Sequence, residues 1–294
     1  MTVPISVIIP VYKNSHFLND SLESLKLQTF QKFEIIIVND GSPEEIRIKR
    51  IFEKYKKKLN IKYISYKNNK GVSHALNTGI KKSKGKYISW LSHDDFFHPK
   101  KFELQINYLK SNLKILTLTG FYLIKENKDI LKEKLYKNFK FKLKYQILIR
   151  DNINLCTALI PRKFFVEIGY FDEKMKHVQD YDLMYRIFEK YNVKIINKPL
   201  FYSRMHKRQT SLVDNFEAQN EKEKFLISKI NHIKRVFKKS NIYLKIYIIF
   251  FLRIKNLKAI NEELNLIIKN QNIFFTLILK IIFLMGGLYF SAKK

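Results

Sequence analysis

The first hundred residues alternate short apolar runs with segments of helical spacing, and this rhythm constrains the fold more than any other feature of the chain. Residues 3–11, 33–38, 61–66 and 86–91 read as strands, and residues 17–28, 46–55 and 72–82 as the helices between them. Near-continuous apolar strands fit a sheet buried on both faces, and the helices supply the crossovers that parallel strands require. An α/β domain with a Rossmann-like sheet follows as the expected fold class.

A polar cluster follows each of these strands: Tyr12-Lys13-Asn14, Asn39-Asp40-Gly41-Ser42, Asn68-Asn69-Lys70-Gly71 and Ser92-His93-Asp94-Asp95. Ligands of parallel α/β sheets bind beyond the carboxyl ends of the strands, so four clusters at one edge predict one site. The last cluster carries the sharpest chemistry. Adjacent carboxylates at the end of an apolar strand repel each other and resist burial. A divalent cation bridging them to a phosphate would relieve both problems. The competing reading is a turn and helix cap ahead of Pro99.

Beyond this half the rhythm loosens. A helix is expected over residues 100–111, a strand over 115–124, an acceptor-side strand over 155–160, a helix over 182–191 and a strand over 201–206, all extending the same mixed sheet. From residue 215 no strand remains. Residues 216–239 read as a charged helix, and 242–254 and 273–290 are strongly apolar but interspersed with Lys and Arg. Residues 273–290 reach only the lower edge of a bilayer-spanning length and carry a central Lys280, which favours basic amphipathic helices lying in a membrane interface. Packing on the catalytic domain or on a second subunit is the other reading. The expected division is therefore 1–214 (a nucleotide-binding part over 1–98 and an acceptor-side part over 99–214) and a helical extension over 215–294.

The chain carries 56 Lys and Arg against 26 Asp and Glu, a formal net charge of +30. Such a surplus favours polyanionic partners. The basic residues are mostly Lys dispersed among Ile, Asn and Phe, the pattern of an AT-rich coding sequence, and no nucleic-acid-binding motif accompanies them. A nucleic-acid partner is not expected; a membrane surface is. The lone Cys156 excludes an internal disulfide and fits a reducing compartment. The opening Met1-Thr2-Val3-Pro4 runs into a strand without a signal peptide, so the expected location is cytoplasmic, peripheral at the inner face of the plasma membrane.

Taken in order, Ser6-Val7-Ile8-Ile9-Pro10-Val11-Tyr12, Ile35-Ile36-Ile37-Val38-Asn39-Asp40-Gly41-Ser42, Asn69-Lys70-Gly71 with Ala75-Leu76-Asn77, and Ser92-His93-Asp94-Asp95 resemble the family 2 glycosyltransferases. The similarity covers about residues 3–212. It implies a single nucleotide-diphospho-sugar transferase domain, a nucleotide-sugar donor (a UDP-sugar by default), a divalent metal (Mn²⁺ or Mg²⁺), and inverting transfer to a glycan or lipid-linked glycan in surface polysaccharide synthesis.

The resemblance also suggests roles. Pro10, Val11 and Tyr12 match the segment lying against the base, where a tyrosine face stacks well; a core tyrosine is the alternative. Asp40 matches the carboxylate that accepts from the nucleobase, or else caps a turn. Lys13 replaces a common Asn and carries no role. Asn69 and Gly71 open a helix suited to phosphate or sugar oxygens, or form a plain turn. Asp94 matches a ribose or donor-sugar contact and Asp95 the metal ligand, with Ser92 in place of the usual first carboxylate. His206, in the late segment Tyr202-Ser203-Arg204-Met205-His206, matches a metal or diphosphate ligand, and its imidazole suits Mn²⁺ better than Mg²⁺. Arg204 would offset phosphate charge. Asp180 matches the catalytic base; Gln179 stands where relatives usually carry Glu, and helix capping is the competing role. Cys156 reads as packing. Because Ser92 and Gln179 depart from the usual pattern, a catalytically inactive, scaffold-like relative is the alternative to an enzyme.

Overall fold

The computed structural model describes residues 4–109, 112–136, 153–206 and 215–229. Strand β1 (Ile5–Val11) and strand β2 (Phe33–Asn39) are buried along their whole length, as their unbroken apolar sequences require of strands covered on both faces. They pair in parallel, and β3 (Ile61–Ser65) and β4 (Tyr87–Trp90) add in parallel on either side. The short β8 (Ile160–Pro161) closes the β4 edge antiparallel, giving the order β3-β2-β1-β4-β8.

Helices α1 (Leu18–Lys26), α2 (Glu45–Tyr55) and α3 (Val72–Lys82) make the crossovers. Each buries one apolar stripe: Leu18, Leu22 and Leu25 in α1, Ile48 and Ile51 in α2, and Ala75, Leu76 and Ile80 in α3. Gly79 lets α3 lie directly on β1, because a Cβ there would stand 2.3 Å from Ile8 Cγ2. These elements fall within a residue or two of the sequence expectation.

The second half departs from it. Apart from β8 it does not extend the first sheet but builds another, in the order β5-β9-β6-β7: β5 (Phe96–Phe97), β6 (Ile115–Ile124), β7 (Ile130–Lys134) and β9 (Asn192–Arg204). Strand β9 begins nine residues before the expected start at 201 and runs through Pro199. The ladder tolerates this proline, which cannot donate, because the β6–β9 register shifts around Gly120, the residue opposite it.

Nor is 155–160 one strand. Residues Leu155–Thr157 form a 3₁₀ turn, because Asn154 Oδ1 accepts from the Cys156 N–H at 2.9 Å and Thr157 Oγ1 donates to the Asn154 carbonyl at 2.7 Å. These local bonds outcompete the ladder. Helix α4 (Lys101–Leu109) follows Pro99, and α5 (Arg162–Ile168) follows β8. Helix α6 (Gln179–Lys190) starts three residues earlier than expected, which places Asp180 in its first turn. Helix α7 (Asn215–Ser228) occupies the start of the expected charged helix.

The chain divides into two compact units, Met1–Ile147 with Asp151–Ala218, and Leu148–Arg150 with Gln219–Lys294. All sequence-predicted site residues belong to the first. No described helix is long and apolar enough to cross a membrane; the apolar segments 242–254 and 273–290 lie outside the described residues.

Candidate functional site

All four polar clusters are tied to a neighbouring strand or loop; in the first, the Asn14 N–H donates to Glu44 Oε1 at 3.1 Å. The Asp40 N–H donates to the Val11 carbonyl at 2.9 Å, continuing the β1–β2 ladder past the end of β2. The Asp40 carboxylate then accepts from the N–H groups of Lys70 (2.9 Å) and Gly71 (2.8 Å). This fixes the Asn69-Lys70-Gly71 turn at the start of α3. Gly41 (φ +66°) permits the close approach, since a Cβ there would stand 2.4 Å from the Asn68 carbonyl carbon. Gly71 (φ +94°) takes a conformation open to glycine alone without strain. Burial pushes the Asp40 carboxyl up, against the two N–H bonds that hold it down.

Pro10 and Val11 are buried within β1, so of the predicted base-facing segment only Tyr12 is outside, at 37% exposed, with Lys13 Nζ 5.1 Å from its ring centroid. Asn69 is exposed.

The two adjacent carboxylates after β4 face different ways. Asp94 Oδ2 lies 2.9 Å from His206 Nε2. Asp95 turns inward, where its Oδ1 accepts from the Arg204 N–H at 2.7 Å. The chemistry follows the orientation. Burial pushes the Asp94 carboxyl up, but the bond to His206 and the neighbouring His93 outweigh it and leave Asp94 below the usual range. Asp95 is pushed well above it by burial and by the Asp94 charge beside it. The side chain that meets His206 is therefore that of Asp94, whereas Asp95, matched to the metal from the sequence, holds the backbone of β9.

Arg204 is also placed differently from expectation. It is 1% exposed. Its Nε donates to the Asp94 carbonyl at 2.9 Å, Nη1 to the Glu126 carbonyl at 2.7 Å, and Nη2 to Asp20 Oδ2 at 2.6 Å. All three nitrogens have protein acceptors, so the guanidinium braces the turn from behind. The support extends into α1, where Ser21 Oγ donates to the carbonyls of His93 (2.8 Å) and Asp95 (2.6 Å). Sequence reasoning missed Asp20 and Ser21, which read as an ordinary polar first turn of a helix.

Asp180 is half-buried, and its carboxylate accepts from the Tyr181 N–H at 2.9 Å. Burial raises its pKa to about 7, with only backbone N–H groups pulling it down. Among the described residues, no hydrogen bond joins it to Asp94 or Asp95. Cys156 links the two regions: its Sγ lies 3.6 Å from Ser92 Oγ, and after burial itself the charges of Asp95 and Asp180 both push the thiol up. The thiol is thus within electrostatic reach of both carboxylates. Beside Asp180, the Oε1 of Gln179 is buried without a hydrogen-bond partner.

Among the described residues, no group of three or more His, Cys, Asp or Glu side chains is arranged to hold a metal ion. The Asp94–His206 pair supplies one carboxylate and one imidazole, a donor set that suits a divalent cation completing its shell with substrate oxygens.

An α/β domain whose parallel strands end in carboxylate- and glycine-bearing loops, with a carboxylate–imidazole pair at one of them, defines a nucleotide-sugar-transferase type of fold. The sequence profile of Glycosyl transferase family 2 matches residues 6–169, and the chain belongs to that family. An uncharacterized glycosyltransferase of Rickettsia prowazekii is 36% identical over 247 residues, covering 82% of this chain and 75% of that protein. A Rickettsia bellii relative is 37% identical over 74% of this chain, which spans only 32% of its length. An Escherichia coli enzyme, the UDP-Glc:alpha-D-GlcNAc-diphosphoundecaprenol beta-1,3-glucosyltransferase WfgD, is 27% identical over 72% of this chain and 80% of its own. Among solved structures, Staphylococcus aureus TarS 1–349 in complex with UDP-GlcNAc superposes with a TM-score of 0.62 at 18% identity, covering 85% of this chain and 79% of that 1–349 chain, a likeness of fold.

Proposed function

We propose that this glycosyltransferase moves a sugar from a UDP-sugar to a hydroxyl of a glycan or lipid-linked glycan, with inversion, in surface polysaccharide synthesis. The observation that carries the catalytic reading is Asp180. A half-buried carboxyl in the first turn of α6, with its pKa raised to about 7, is poised to take a proton from an attacking hydroxyl near neutrality. Gln179 takes the place of a second carboxylate beside it, and burial is what raises its pKa. The UDP preference and the lipid-linked acceptor are drawn from the WfgD and TarS likenesses.

In this reading Tyr12 stacks on the base and Asp40 reads its edge, while the Asn69–Gly71 turn, its Lys70 and Gly71 N–H groups held by Asp40, sets the first N–H groups of α3 toward the donor. Asp94 and His206 would hold the divalent cation, Mn²⁺ before Mg²⁺, together with diphosphate oxygens. Bound there, the cation supplies positive charge against the departing nucleoside diphosphate. Asp95 takes a supporting part in metal binding by fixing β9, and Arg204 supports the site from behind. One displacement suffices, and no residue need form a covalent intermediate. The basic, apolar extension after residue 215 would carry the enzyme to the inner face of the cytoplasmic membrane.

The test is donor hydrolysis by the purified chain, with thermal shift across UDP-, dTDP- and GDP-sugars in Mn²⁺ and in excess EDTA. A ligand selective for the folded state raises apparent stability. The expected result is a Mn²⁺-dependent shift and turnover with a UDP-sugar. Binding without turnover supports a scaffold-like relative instead, and full activity in EDTA rejects the metal. Full-length protein should also sediment with anionic liposomes at low salt and lose that binding when truncated after Asn215.

A further inference from the structure

The site as described leaves one buried charged group without a role in the chemistry. The Arg204 guanidinium is enclosed, lying 4.4 Å from the Phe17 ring centroid and 5.6 Å from that of Phe96. Burying a cation this deeply is unfavourable unless it is paired and its donors are satisfied. Here each nitrogen reaches a different segment: Asp20 in α1, the Asp94 carbonyl in the turn after β4, and the Glu126 carbonyl in the turn between β6 and β7. A planar fork can serve three acceptors at once in a fixed geometry, which a lysine ammonium cannot.

The backbone of the same residue is held from the opposite side, since its N–H donates to the Asp95 carboxylate. Two residues on, His206 meets Asp94 and lies 5.3 Å, ring centroid to centroid, from the same Phe17. The end of β9 is therefore fastened to the Asp94–Asp95 turn by both side chains of the pair and by the guanidinium. Asp20 completes the arrangement: its Oδ2 takes Arg204, its Oδ1 takes Lys128 Nζ at 2.9 Å, and the adjacent Ser21 ties α1 to the same turn.

We infer that Arg204, with Asp20 as its counter-ion, is a positioning residue that locks α1, the Asp94–Asp95 turn and the end of β9 together so that His206 is presented to Asp94. It acts on the cation and diphosphate through that pair, without touching either. The inference rests on the reading that Asp94 and His206 hold the divalent cation.

The experiment measures Mn²⁺ affinity by electron paramagnetic resonance in the presence of UDP, and UDP affinity in EDTA, for the full-length protein and its variants. Asp20→Asn keeps the shape and removes the counter-ion charge. It is expected to weaken Mn²⁺ binding about 10-fold, the scale of a lost supporting contact to a metal ligand, with metal-free UDP affinity unchanged. Arg204→Lys should do the same or more. In a His206→Ala background, neither substitution should weaken Mn²⁺ binding further. Non-additivity of this kind marks residues that act through one another.

Asp20→Asn, whose site is partly exposed, decides the matter if Arg204 variants do not fold. Equal loss of UDP affinity with and without metal would overturn the inference in favour of a direct phosphate contact. Unchanged Mn²⁺ affinity in Asp20→Asn, with a clear loss in His206→Ala, would reject the positioning role and leave the metal reading standing. Unchanged affinity in His206→Ala would remove the metal reading and the inference with it.

Discussion

The carboxylates beyond the parallel strands and the carboxylate that opens α6 are all buried or half-buried, yet they are held in different ways. Asp40 accepts two backbone N–H bonds from the turn it shapes, Asp94 meets an imidazole, and Asp95 grips the backbone of β9. Among the described residues, Asp180 has the adjacent Tyr181 N–H and no side-chain partner. Partners favour the ionised form, and burial without them favours the protonated one. One region thus fixes its loops and holds Asp94 on the ionised side, as binding requires. The other holds a proton acceptor near its switching point, as proton transfer requires.

The difference is broken most directly at Asp180. Asp180→Asn should lower turnover by roughly 10²–10⁴-fold, the scale of a lost general base, while UDP affinity by calorimetry stays within about twofold. In the parent, activity should rise with pH through about 7 as the carboxyl ionises. A flat profile from pH 5 to 9, or near-parental turnover in the variant, would remove Asp180 from the reaction.

The same residue makes a stability prediction of opposite sense. A carboxyl whose pKa is raised in the folded state holds a proton that the unfolded chain has lost. Stability therefore falls as pH rises from the unfolded value near 4 to the folded value of about 7, and is level above it. Each unit of pH in that window is worth about 1.4 kcal/mol. Urea titrations should show Asp180→Asn close to the parent at pH 4 and more stable than it at pH 8, by a few kcal/mol. A variant less stable than the parent at pH 8 would show that the ionised form has a partner.

A smaller effect separates the adjacent aspartates. Asp94→Ala and His206→Ala should each weaken Mn²⁺ binding by about 10–100-fold. Asp95→Asn retains an acceptor oxygen for the Arg204 N–H and should weaken it less than Asp94→Ala does. Calorimetry with Mn²⁺ and UDP checks the order, and a larger loss at Asp95 would return the metal to that residue.

The contrast between regions also governs what could be read from the chain. The parallel half was legible because strands covered on both faces must be unbroken apolar runs, and β1 and β2 are. Strand β9 carries exposed Lys194, Asn197 and Lys198 and an internal Pro199, so its pattern suggested only its last residues. The turn at 155–157 depends on local bonds from Asn154 that periodicity does not register. At the site, the order of motifs located the carboxylates but not their orientations. Whether Asp94 or Asp95 faces His206 depends on which backbone group β9 offers, and that pairing spans 109 residues of sequence. The burial of Arg204 is likewise set by Phe17, Asp20 and Phe96 together, a tertiary arrangement with no local signal.

Asp40 provides the smallest expected effect. Its two oxygens accept from the N–H groups of Lys70 and Gly71, so Asp40→Asn keeps one acceptor and turns the other position into a donor facing an N–H. A bond from backbone to a charged acceptor contributes about 1.5–3 kcal/mol. Burial already disfavours the charge at this site, which offsets part of the loss, so the expected destabilisation is about 1–2 kcal/mol at pH 7 in urea unfolding. The turn it anchors opens α3, and Gly71 there already takes a positive φ. Loosening the turn should weaken UDP binding several-fold without altering the pH profile set by Asp180. If Asp40→Asn instead shifts that profile, the two regions are electrostatically coupled and the separation of binding charge from proton acceptor does not hold.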